Sequence, residues 1–164
     1  MVLHRNPQLR FEFEGSPVKA ISLATVIVGS HSHNGSSSIT TLSPDISEPH
    51  FVTCSDLSQW FSPGYPKWTN YIKGVLVNFK DFARPFNLVV ATSIPIGGGL
   101  SSSAALEVAS YLFFEQLFLN STKEPSLLSK ALVCQKAEHN FAGTPCGIMD
   151  QLVSFCGKEN HAIL

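Results

Sequence analysis

Pro95-Ile96-Gly97-Gly98-Gly99-Leu100-Ser101-Ser102-Ser103-Ala104-Ala105 separates two segments of opposite habit. Asn87 to Ile94, rich in Val, Leu and Ile, reads as a strand that Pro95 and three glycines break. Ser101 then opens a helix expected to run to about Leu119. Three glycines let a backbone approach a ligand without a Cβ and adopt positive φ, and the helix behind them offers unpaired N–H groups and a positive dipole end. Ser101, Ser102 and Ser103 add hydroxyl donors, and a serine oxygen can also hold Mg²⁺ accompanying a triphosphate. The string is not a G-x-x-x-x-G-K-[ST] loop, since it has no terminal lysine, and it is not G-x-G-x-x-G. Taken as residues alone, it is open to a second interpretation, a serine-capped glycine turn with no ligand.

Working outward, Val18 to Gly29 is β-branched and apolar and ends at the polar run His31-Ser32-His33-Asn34-Gly35, which suggests a strand entering a hairpin. Ser36 to Leu42 and His50 to Cys54 are expected strands parted by Ser43-Pro44-Asp45, giving an antiparallel sheet. Tyr71, Ile72, Val75, Leu76 and Phe79 fall at helical spacing, so Trp68 to Phe79 is expected to be an amphipathic helix. The helix after the loop is apolar almost all round and should be central and buried. A further helix is expected from Ser126 to Phe141, stopped by Gly143-Thr144-Pro145, and a last strand from His161 to Leu164. The mixture of elements is α+β, and 164 residues suit one domain.

Composition narrows the chemistry. A formal charge of −1 with acids and bases interspersed offers no basic stripe for nucleic acid and no basic amphipathic helix for a membrane. Cys54, Cys134, Cys146 and Cys156 stand far apart with no C-x-x-C pair, as expected of reduced thiols in a cytoplasmic protein. No apolar run reaches the roughly 18 residues of a membrane helix. The charged fraction, 14%, is well under the roughly 25% usual in soluble domains, so some apolar surface is expected to need a cover.

Phosphoryl transfer needs metal to neutralise phosphates and a group to orient or deprotonate the attacking hydroxyl. Glu138, late in its predicted helix, and Asp150, beyond the Gly143 to Gly147 turn, are the candidate carboxylates. From residue type alone, a solvated Glu138 and an N-capping Asp150 remain open, and His139, without a metal-spaced partner, reads as structural. Trp68 and Tyr71 admit two interpretations, core aromatics or a flat wall for a base.

The loop P-x-G-G-G-L-S-S-S-A resembles the second signature motif of the GHMP kinases. Ala137-Glu138-His139-Asn140-Phe141-Ala142-Gly143-Thr144-Pro145-Cys146-Gly147-Ile148-Met149-Asp150-Gln151 and Pro66-Lys67-Trp68-Thr69-Asn70-Tyr71-Ile72-Lys73-Gly74-Val75 resemble the galactokinase branch. The resemblance implies the N-terminal domain of that superfamily, of the ribosomal protein S5 domain 2-like kind, and phosphorylation of galactose by ATP at its C1 hydroxyl. It implies ATP at Gly97, Gly98, Gly99, Ser101, Ser102 and Ser103 with Trp68 beside the adenine, Mg²⁺ on Ser103 and Glu138, galactose against Cys146, Gly147 and Asp150, and Asp150 as catalytic base or orienter.

Set against that family, residues 1–19 are a divergent segment and residues 20–164 a partial ATP-binding domain. The P-G-R-V-N-L-I-G-E-H-T-D-Y signature that supplies an arginine and sugar ligands has no counterpart, and Arg5 and Arg10 stand in the wrong context to replace it. A G-G-G-F-G-G motif of a second domain is likewise lacking. The chain alone is therefore expected to be weakly active or inactive, poorly soluble, and to leave an apolar face exposed. Three alternatives stand beside the kinase: a non-catalytic sensor of sugar and ATP, an inactive isoform fragment, and an N-acetylgalactosamine kinase. The intact Ser103-Ala104 pair favours the enzyme lineage over the sensor, and Thr144-Pro145-Cys146 argues against the third by resemblance.

Overall fold

The computed structural model describes residues 2–10, 19–119 and 125–157. Among them β1 (Val2–Arg10), β2 (Lys19–His31), β3 (Ser37–Thr41), β4 (Phe51–Cys54) and β5 (Phe86–Thr92) form one sheet in the order β1-β2-β5-β3-β4. The helices are α1 (Thr69–Leu76), α2 (Ser102–Phe118), α3 (Leu127–Ala137) and α4 (Met149–Cys156). The expected α+β mixture is what these elements make.

One face of the sheet is apolar by simple alternation. Phe86, Leu88 and Val90 of β5 and Ile39 of β3 are buried, while Asn87 and Val89 between them point to solvent. Helix α2 lies on β2 and touches α1, α3 and α4, which surrounds it and answers its all-round apolarity. Val108, Ala109, Phe113 and Phe114 of α2 are wholly buried. Phe86 meets the rings of Phe113, Phe114 and Phe118 with centroids 5.2 to 6.3 Å apart, in the edge-on geometry that aromatic quadrupoles favour.

The hairpin expected after residues 18–29 does not form. β2 and β3 do not pair; β5 occupies the slot between them, antiparallel to β2 and parallel to β3. The turn at residues 32–36, tied by Ser32 and Ser36 to the Asn34 side chain, carries the chain across the width of a strand. The strand richest in large apolar residues thus gains hydrogen-bonding neighbours on both edges. The sheet is consequently mixed, not purely antiparallel. No element was assigned to residues 1–19 from sequence, yet Val2–Arg10 pairs with β2 as an edge strand. An edge can hold Pro7, which has no N–H to give.

Helix lengths differ in detail. The regular part of α1 stops at Leu76 and continues as a 3₁₀ turn over Val77–Phe79. The helix expected to Phe141 leaves α geometry at Ala137 and passes through one π turn, Glu138–Ala142, closed by Gly143 at φ 73°. The strand expected at residues 161–164 lies outside the described residues.

Gly74 marks where α1 approaches the end of α3. A Cβ there would lie 2.7 Å from Ala137 Cβ and 2.8 Å from its Cα. Gly74→Ala should therefore lose about 1–3 kcal/mol of stability by overpacking, although alanine is favoured in helices by about 1 kcal/mol. Thermal denaturation checks this, and an unchanged or higher midpoint would mean that the two helices part without cost.

Candidate active site

The loop after β5 is wound by alternation of hand. Gly97, Gly99 and Ser101 have φ of 73°, 68° and 53°, and Ser101 is the one non-glycine residue among those described with positive φ. A side chain in that region is strained by about 1–2 kcal/mol, a cost that packing or function must offset. Left-handed residues spaced by right-handed or extended ones curl successive N–H groups into a concavity suited to anions. Ser101 stands at the N-cap of α2 but its side chain makes no capping bond. At the helix start Gly97, Gly98 and Gly99 are exposed and Ser101, Ser102 and Ser103 half-buried.

Beside the loop lies a cavity of about 280 Å³, walled by Trp68, Tyr71, Ile96, Ser102, Ser103 and Leu106. The two interpretations of Trp68 are not exclusive. Its ring is 8% exposed, its Nε1 donates to the Pro49 carbonyl at 3.0 Å, and it still forms part of the cavity wall. Its backbone N–H reaches Glu48 Oε2 at 3.3 Å, so the plane is held from two directions. Burial, and then the charge of Glu138, raises the Tyr71 phenol above its ordinary range, which keeps it a neutral hydrogen-bonding group.

Glu138 is not solvated. It is 5% exposed, and its Oε2 accepts from Gln151 Nε2 at 2.7 Å and from the Cys146 thiol at 3.3 Å. Glu138 lies on the buried face of α3, four residues after Cys134 and seven after Ala131, while His139 and Asn140 stay at the surface. His139 has the structural role expected: its Nε2 sits 3.1 Å from the Cys146 amide nitrogen and 2.9 Å from that residue's carbonyl. One tautomer accepts from the amide and the other donates to the carbonyl, and either fixes the backbone there. The Cys146 thiol is pushed up to about 12 by burial and by Glu138, so it remains a donor.

Asp150 is half-buried in the first turn of α4, whose N-cap is Ile148, so it does not cap that helix. Gly147 lies exposed just before it. Sequence reasoning missed two residues here, Glu107 and Gln151. Gln151 Nε2 also reaches Glu107 Oε2 at 3.1 Å, and Glu107 is wholly buried. A glutamate in the middle of a largely apolar helix, as Glu107 and Glu115 both are, was the available signal.

For a divalent cation, the described residues contain no cluster of three or more His, Cys, Asp or Glu side chains able to hold it. Ser103 and Glu138 offer hard oxygens, and the hydrogen bonds described for Glu138 fall on Oε2, leaving Oε1 over. Such a sparse set fits magnesium, which takes one or two protein oxygens and completes its shell with phosphate and water.

A family model described as the GHMP kinases N terminal domain matches residues 70–158. Galactokinase from Canis lupus familiaris is 47% identical over 148 residues, covering 88% of this chain and 37% of that protein. Galactokinase from Homo sapiens is 45% identical over the same length and share. The chain thus spans little more than a third of these curated relatives. Among solved structures, Lactococcus lactis galactokinase complexed with galactose superposes with a TM-score of 0.75 at 23% identity, over 93% of this chain and 41% of that one. Methanococcus jannaschii mevalonate kinase gives 0.72 at 17%, over 94% and 51%. At these identities the two structures speak for the fold.

Burial, and secondarily Glu138, pushes the Glu107 carboxyl up from 4.5 to about 9. Between those values the folded chain holds a proton that the unfolded chain has released, so this contribution to stability is full below about pH 4.5 and disappears as pH rises through about 9. Melting the wild type and Glu107→Gln from pH 5 to 9 should show a fall in the wild type that the variant lacks. Equal slopes would show Glu107 to be ionised in the fold.

Proposed function

We propose that this chain, which belongs to the GHMP kinase family, carries the nucleotide half of a galactokinase site that transfers the γ-phosphoryl group of ATP to the C1 hydroxyl of galactose. The observation that carries the proposal is the convergence of one loop and one cavity. Three left-handed residues, Gly97, Gly99 and Ser101, lead into Ser102 and Ser103, and those serines share a cavity wall with Trp68 and Tyr71. Phosphate donors and a flat aromatic wall for a base are thereby adjacent.

In this proposal the N–H groups of residues 97–103 and the serine hydroxyls bind the phosphates, and Trp68 lies against the adenine. Ser103 and Glu138 would hold Mg²⁺, which when bound neutralises charge building on the transferred phosphoryl group. Cys146 and Gly147 border the sugar, the Cys146 backbone fixed by His139. Asp150 orients the C1 hydroxyl and takes its proton as that oxygen bonds to the γ-phosphorus. The bond from phosphorus to the bridging oxygen breaks, and ADP leaves. The cytoplasm is the proposed location; among the described residues no helix is long and apolar enough to cross a membrane.

Calorimetric titration of MgATP into the 164-residue chain tests the site. Ser103→Ala and Glu138→Gln should each weaken MgATP about tenfold, or about 1.4 kcal/mol, the scale of one charge-assisted contact. Undiminished affinity in both variants would refute the assignment of phosphate and metal. Asp150→Asn should leave MgATP binding unchanged and reduce whatever transfer to galactose is measured by about 10²–10⁴. A variant with full turnover would remove Asp150 from the chemistry.

A further inference from the structure

Gln151 is 1% exposed, and its single amide nitrogen serves two carboxylates, Glu138 Oε2 at 2.7 Å and Glu107 Oε2 at 3.1 Å. All three side chains are buried, and the cluster is incompletely satisfied. Glu107 Oε1 and Gln151 Oε1 are buried without a hydrogen-bond partner. Each such atom weakens the fold, and well-packed apolar side chains would serve stability better. A polar cluster retained at that cost points to a use beyond holding the core.

Its placement says which use. Glu107 lies four residues after Ser103 on α2, one turn along the same helix face. Gln151 follows Asp150 on α4, and Glu138 opens the π turn at the end of α3. The amide of Gln151 therefore ties together the three elements that bear the proposed metal ligands and base. By donating to Oε2 of Glu138 it also fixes the rotation of that carboxylate, so that Oε1 is the oxygen left for another partner.

We infer that Gln151 is a positioning residue, braced by the buried Glu107, that sets the Glu138 carboxylate for a divalent cation shared with the bound nucleotide. The inference rests on the nucleotide site proposed above. Outer partners of metal ligands commonly contribute 10–100-fold to metal affinity, so the effect is measurable without turnover.

The experiment is titration of ATP into the 164-residue chain with EDTA and then with Mg²⁺, the ratio of the two affinities being the contribution of the metal. In the wild type Mg²⁺ should tighten ATP, and Glu138→Gln should abolish that gain. Gln151→Met should reduce the gain by about tenfold while metal-free ATP affinity stays within about twofold, a split that general loosening of the fold would not give. Circular dichroism checks folding. Gln151→Leu, which likewise has no donor, should behave as the methionine variant does. If neither variant folds, the wild type decides: the side-chain amide resonance of Gln151 should shift when Mg²⁺ is added to the ATP complex. An unmoved resonance, or a full metal gain in folded Gln151→Met, overturns the inference. Loss of the gain in Glu138→Gln with retention in Gln151→Met sinks this inference alone, whereas retention in Glu138→Gln sinks the metal site and the inference with it.

Discussion

Helix α2 has almost no side it can leave in water, and that constraint organises the molecule. With Val108, Ala109, Phe113 and Phe114 all at zero exposure, it must have the sheet on one side and other helices on the rest. At roughly 1.5–3 kcal/mol for each large side chain buried, these residues outweigh any local preference of the segments that cover them. The position of α2 then fixes its N-terminus, and with it Ser102, Ser103 and the glycine loop. The place of the glycine loop at one end of the helix is thereby set by hydrocarbon packed along its length.

Much of this was legible in the chain. The strand, loop and helix around Pro95 to Ala105 could be placed within a residue or two, because proline, glycine and serine punctuate sharply where apolar runs end. The order of the strands was not legible. Which strand enters the gap beside β2 depends on partners more than fifty residues apart, such as Val28 and Val89, and local pattern carries no such information. The short polar run after β2 looked like a hairpin turn because the same residue types make both.

The carboxylates show a similar division. Asp150 was found by its place after a turn, and it sits as a half-buried group near Cys146 and Gly147 in the chain. Glu138 was found by type but misjudged in setting, because His139 and Asn140 beside it belong at a surface. Yet Glu138 stands four residues after Cys134 and seven after Ala131, on the apolar face of its helix, a spacing that the charge of the residue masked. Glu107 went unremarked because two scattered acids, Glu107 and Glu115, do not disturb the periodicity of a largely apolar helix. Its effect comes from Gln151, forty-four residues later.

The insertion of β5 between β2 and β3 also bears on how the molecule comes to exist. The pairing of β3 with β4 is local, whereas β2 must wait with an open edge until a segment some sixty residues downstream arrives. Pairings of such long range close slowly, because the entropy of a large loop is lost before any contact compensates. During synthesis the β2 edge is thus a hazard for sticking to other chains. The proposed phosphate loop is covalently the tail of that late strand. No anion can meet a formed loop until the middle of the sheet has been filled, so assembly of the site and completion of the sheet are one event.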